Sequence, residues 1–168
     1  VVDSCVTVTQ QLPTLVKSFN PTTIPAGGTT VLTFTITNPS PFNPAQVVSF
    51  TDNLPSKLQV ANPAGVVTSA GCTASTITAN PGAFSIGVAT TVIASGAAAS
   101  VCTISVNVTN VPLQVGTCPD TNLTNKSTSI VSPVNIVNNV VDSCVTVTQQ
   151  QPTLVKSFSP NSIPAGGT

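Results

Sequence analysis

TVLTFTITN, residues Thr30 to Asn38, sets Leu32, Phe34 and Ile36 on one side of an extended chain and Thr33, Thr35 and Thr37 on the other. Strict alternation over this length marks a strand with one buried face. The same period holds on either side of it. Upstream, Thr14 to Phe19 alternates Leu15, Lys17 and Phe19 against Val16 and Ser18, and PAGGT (Pro25–Thr29) reads as a turn leading into the central strand. Downstream, Pro39, Pro41 and Pro44 make a loop with Phe42 in its middle, and Gln46 to Asp52 then groups Val48, Phe50 and Asp52 before Leu54-Pro55 breaks the strand. Further strands are expected at Lys57–Ala61, Gly71–Thr78 and Phe84–Ile93. In Val101–Thr109, Cys102, Ile104, Val106 and Val108 face inward while Thr103, Ser105 and Asn107 face outward. Asn122–Val131 and Val140–Thr148 complete the set. Seven to nine short strands separated by turn signals, with no sustained helical period, predict an all-β fold, an immunoglobulin-like Greek-key β-sandwich.

The chain also repeats itself. VVDSCVTVTQQ from Val1 returns at Val140, and PTLVKSFNPTTIPAGGT (Pro13–Thr29) returns as PTLVKSFSPNSIPAGGT (Pro152–Thr168), a shift of 152 − 13 = 139 residues. Near-identical copies at a fixed period indicate a tandem array. The expected division is residues 1–12 as the tail of a preceding repeat, 13–151 as one complete sandwich, and 152–168 as the first strand of the next. Gln149–Gln151 would form a very short joint, and short joints make stiff, filamentous arrays.

Composition narrows the function. Lys+Arg and Asp+Glu number 4 each, so the basic footprint of a nucleic-acid binder is absent. Mean hydropathy is +0.40, yet no apolar run approaches the roughly 18 residues of a membrane-spanning helix. A surface with so little charge is expected to be covered by glycans or by neighbouring subunits. With no His, the usual triads and metal centres cannot be assembled, and neither catalysis nor a cofactor is expected. PAGGT and GAAAS (Gly96–Ser100) lack the strand–helix context of phosphate-binding loops. Sugar-stacking Trp and Tyr are missing, which leaves Phe42 as a loop aromatic suited to a neighbour contact or a ligand.

PTLVKSFNPTTIPAGGTTVLTFTITNPS, VVSFTDNLPSKLQV, GC followed by VCTISVNV, and a late TN together resemble the immunoglobulin-like tandem repeat of bacterial and archaeal surface proteins. That family is catalogued as domain of unknown function eleven, with close relatives. The resemblance spans the repeat and implies the sandwich fold and an extracellular, often tandem setting; it implies no activity. Ser129–Cys144 and the cysteines Cys118 and Cys144 depart from the pattern.

Cys5 and Cys144 are the same position one period apart, so each repeat owns four cysteines, and an even number without His favours disulfides in an extracellular protein. Cys72, at the start of a strand, suits a bridge to the inward-facing Cys102. That leaves Cys118 for Cys144, and Cys5 for the preceding repeat's counterpart of Cys118. Sequons at Asn107, Asn122 and Asn125 arise readily by chance in a chain rich in Asn and Thr; Asn107 and Asn122 are glycosylation candidates, as are outward Ser and Thr.

Alternation also turns polar groups inward. Lys17 lies between Leu15 and Phe19, and Lys156 repeats this between Leu154 and Phe158; Asp52 follows Val48 and Phe50, and Asn125 shares a face with Leu123. A charge on a core face must be paired or neutralised. Their order resembles that of surface domains with an autocatalytic Lys–Asn isopeptide bond, in which a neutral Lys17 attacks the Asn125 carboxamide polarised by protonated Asp52. A buried Lys17–Asp52 salt bridge capped by Asn125, or a lysine that snorkels to solvent, accounts for the same pattern. Two functions remain in view: a structural module of a disulfide-stapled surface fibre, filament or stalk whose partners are copies of itself, and an adhesin repeat binding a host or neighbouring cell.

Overall fold

The computed structural model describes residues 5–7, 9–39, 44–92 and 100–168; Phe42, Ile93 and residues 96–99 lie outside them. In chain order the strands are β1 (Thr14–Asn20), β2 (Thr23–Pro25), β3 (Thr29–Asn38), β4 (Gln46–Asn53), β5 (Leu58–Val60), β6 (Val67–Thr68), β7 (Cys72–Thr78) and β8 (Ser85–Val92). Then follow β9 (Ser100–Asn110), β10 (Thr124–Asn125), a 3-10 turn at Ser127–Ser129, β11 (Ile130–Val134), β12 (Val137–Asn138), β13 (Ser143–Cys144) and β14 (Thr146–Thr148).

Two sheets face each other. One has the order β12-β1-β3-β9-β5, with β6 also on β9; the other runs β11-β4-β8-β7. The chain leaves the first sheet for β4, returns to it as β5 and β6, crosses again for β7 and β8, and comes back as β9 beside β3, with Phe34 opposite Ile104. The result is an immunoglobulin-like β-sandwich. Its core is the inward half of each alternating strand: Leu32, Phe34 and Ile36 from β3 and Val48 and Phe50 from β4 are all buried. Phe34 and Phe50 meet edge to face across the layers with ring centroids 5.3 Å apart, a contact worth about 0.5–1.5 kcal/mol beyond its area.

PAGGT is the expected turn. Gly28 N donates to Pro25 O at 2.8 Å, and Gly27 takes the positive φ of 80° that the third position of a type II turn requires. The last third differs from the two long strands expected there. It is cut into pieces of two to five residues that pass between sheets. In and just after β11, Ser132 and Asn135 adopt left-handed φ of 50° and 54° and the β11–β4 register slips between Val131 and Val134.

The entry and exit of residues 13–148 lie at opposite ends of the sandwich. Thr14 pairs with Thr37 and Thr37 with Val101 at one end. At the other, Thr148 pairs with Pro25, close to where Thr29 meets Thr109. The ten residues of β3 separate the ends, about 30 Å at strand rise. β14 is parallel to β2, and β12 is parallel to β1, so a pull on the two ends shears these pairs lengthwise.

Residues 152–168, expected to open a further repeat with a strand, carry no strand and are exposed throughout, although they differ from 13–29 at only three positions. Strands are made by their neighbours. β1 is held by β3 and β12, and no described segment pairs with 152–168.

Candidate functional site

Lys17, Asp52 and Asn125 converge inside the sandwich from three elements. β1 turns Lys17 inward between Leu15 and Phe19, β4 brings Asp52 from the facing sheet, and β10 supplies Asn125, fixed by its pairing with Ser143. All three residues are buried. Lys17 Nζ donates to Asp52 Oδ1 at 2.6 Å, to Asn125 Oδ1 at 2.7 Å and to the Lys126 carbonyl at 3.0 Å. Asn125 Nδ2 donates to Asp52 Oδ2 at 2.7 Å. The hydrogen bonds close a ring in which every donor of the ammonium has an acceptor.

Burial is the largest influence on both ionisable groups. It pushes the Lys17 ammonium below its usual 10.5 and the Asp52 carboxyl above its usual 3.8, in each case against the attraction of the opposite charge. Both shifts favour passing the shared proton from nitrogen to carboxylate. The neutral amine that results lies beside the Asn125 carboxamide, next to the carbon that carries Oδ1. In one respect the geometry differs from the sequence expectation. Asp52 faces the nitrogen of the carboxamide rather than its oxygen, so it is placed to serve the leaving group and not to polarise the carbonyl.

Both disulfides form. Cys72–Cys102 ties β7 of one sheet to β9 of the other, and Cys118–Cys144 ties the segment after β9 to β13. Such bridges persist in oxidising surroundings. Cys5 is an exposed free thiol. Of the sequon residues, Asn122 is exposed and its Oδ1 accepts from Ser56. Asn125 is consumed by the buried ring. Asn107 points outward but is half covered, because the chain between β5 and β6 crosses over it: Ala61 N donates to Asn107 O, and Asn107 N to Ala64 O. Gly65 lies so close that an added Cβ would meet Asn107 Nδ2 at 2.2 Å.

Two polar anchors escaped the sequence reading. Asn110 Oδ1 accepts from Gly27 N at 2.7 Å, and its Nδ2 donates to the Val111 and Gln114 carbonyls, locking the exit end. Extending the inward phase of β9 by one more step would have found it. Lys57 pairs with Asp120 at 2.8 Å, which holds the Asp120 carboxyl below the usual range, chiefly through the Lys57 hydrogen bond; nothing in the sequence joins those two positions. Among the described residues no group of three or more His, Cys, Asp or Glu stands ready for a metal ion.

No curated protein matches the sequence. Among solved structures, the fold is similar to the seventh ScaB type I cohesin from Pseudobacteroides cellulosolvens, at 10% identity and a TM-score of 0.46, covering 86% of this chain and 99% of that one. Residues 13–147, from the residue before β1 into β14, match the family described as Domain of unknown function (DUF7933). The family named by the sequence resemblance was domain of unknown function eleven and its relatives; by its matched span, the chain belongs to the DUF7933 family.

Proposed function

We propose that the chain is a load-bearing structural module of an extracellular, cell-surface array, cross-linked by an isopeptide bond that it forms between its own Lys17 and Asn125. The observation that carries this reading is the closed ring of Lys17, Asp52 and Asn125. Asp52 Oδ1 takes a proton from Lys17 Nζ, and the freed lone pair attacks Asn125 Cγ. Asp52 then gives a proton to Nδ2, the Cγ–Nδ2 bond breaks and ammonia leaves. A second proton from Lys17 nitrogen returns to Asp52 as the amide forms. Asp52 ends protonated, the state that its burial favours.

The bond would join the first strand to a late one and work in series with Cys118–Cys144. Under tension the taut path runs along Pro13–Lys17, across the amide, back from Asn125 to Cys118, across the disulfide, and out from Cys144 to Gln151. That leaves about 18 residues extensible, about 60 Å. With disulfides alone the path runs through Cys72–Cys102 and Cys118–Cys144 and is about 290 Å long. The adhesin reading makes no use of this buried chemistry. Single-molecule stretching between positions 13 and 151 of the oxidised chain tests the proposal. A fully extended length near 60 Å is expected; one near 290 Å would mean that no amide carries the load.

A further inference from the structure

At the exit end, Ala26, Leu113, Val115, Gln149 and Gln150 line a shallow pocket beside the joint to the next copy. Leu113 has two features that its own domain does not explain. It is 96% exposed, and it has a φ of +66° at the third position of the turn closed by Gln114 N donating to Val111 O. Pro112 suits the second position of such a turn, but the third calls for Gly or Asn. A leucine there strains the backbone and leaves a large apolar side chain in water, and within its own copy it gains no burial in return.

The repeat period identifies a partner. Gln150 is Gln11 shifted by one period (150 − 11 = 139). In the copy described here, the Gln11 carbonyl accepts a hydrogen bond from Gln46 Nε2 at 3.1 Å. Gln46 opens β4, its neighbour Val47 is 61% exposed, and Val134 on adjacent β11 is 50% exposed. The same contact in a following copy would place that copy's Gln46 counterpart on the Gln150 carbonyl. Its Val47 edge would then stand at the pocket that Gln150 and Leu113 line.

We infer that this pocket is the seat of the following copy of the domain, with Leu113 as the apolar anchor against the entry edge at Gln46–Val47. The inference rests on the tandem reading of the 139-residue repeat. The contact is head-to-tail, with different surfaces meeting, so each copy can seat the next, and entry and exit at opposite ends of the sandwich extend the series. A joint of three residues holds the second copy at an effective concentration in the millimolar range, at which a contact of modest area is occupied.

The test uses a two-copy chain, made by continuing Thr168 with a second copy of residues 30–151, and two substitutions in its first copy, Leu113→Asp and Leu113→Gly. NMR relaxation should show the parent tumbling as one rigid body and both variants as two loosely linked ones. In the single-copy protein, Leu113→Gly should melt at the same temperature as the parent or higher, because the turn is relieved of strain and no core contact is lost. A parent whose copies tumble independently, or variants as rigid as the parent, would overturn the docking. Intact mass on the same samples separates the two proposals: a flexible pair that has still lost one ammonia per copy refutes the docking and leaves the cross-linked module standing.

Discussion

Lys17 and Lys156 share their local sequence, Thr-Leu-Val-Lys-Ser-Phe, and have opposite surroundings. Lys17 is buried against Asp52 and Asn125, whereas Lys156 is exposed with its Nζ 5.1 Å from the Phe158 ring centroid. The burial and partners of Lys17 are therefore properties of the fold around it, and so would be the reactivity proposed for it. The ion pair and its neutral form hold the same number of protons, so the rate of amide formation should be flat across neutral pH. It should fall in acid, where both groups are protonated and no free amine exists, and in alkali, where Asp52 has no proton for the leaving nitrogen. Burial sets the acid limb above 3.8 and the alkaline limb below 10.5. Following ammonia release after refolding at a series of pH values checks this, and a rate that climbs steadily to high pH would exclude Asp52 as the proton carrier. Asp52→Ala should slow the reaction by about 10²–10⁴-fold, and Lys17→Ala should abolish it.

At the scale of elements, the disulfides act on parts that the sheets hold least well. β7 is an edge strand with most of its residues exposed, and Cys72–Cys102 pins it across the sandwich over a separation of 30 residues. Replacing both cysteines by Ala should cost about 3–4 kcal/mol, measured by denaturant unfolding in a Lys17→Ala background so that the amide does not mask the loss. A change below about 1 kcal/mol would mean that the bridge constrains nothing. Which elements were legible in the sequence follows from their length. β1, β3, β4 and β9 each run long enough for alternation to declare the buried face, and that phase also marked Lys17, Asp52 and Cys102 as inward. β10, β12 and β13 have two residues each and carry no period. Their placement depends on cross-chain bonds such as Val145 N to Leu123 O, which leave no local trace. The alternation of β9 put Asn107 on the outer face correctly, but periodicity does not see the chain that crosses over it.

In the whole molecule, the proposed load-bearing role draws on chain direction and cross-links together. Entry and exit stand at opposite ends, β14 runs parallel to β2 and β12 to β1, and a covalent route through Lys17, Asn125 and Cys118–Cys144 would bypass most of the core. The sequence showed the ingredients through its 139-residue period and its inward polar residues. The mutual distances of the three side chains arise only when two sheets close on one another, and no spacing along the chain encodes them. Intact-mass spectrometry of the folded 168-residue chain tests the cross-linked module most directly. The expected mass is that of the sequence, less the hydrogens of two disulfides and one ammonia, with a branched peptide joining Lys17 to Asn125 after digestion. A mass lacking only the disulfide hydrogens would contradict the self-formed bond.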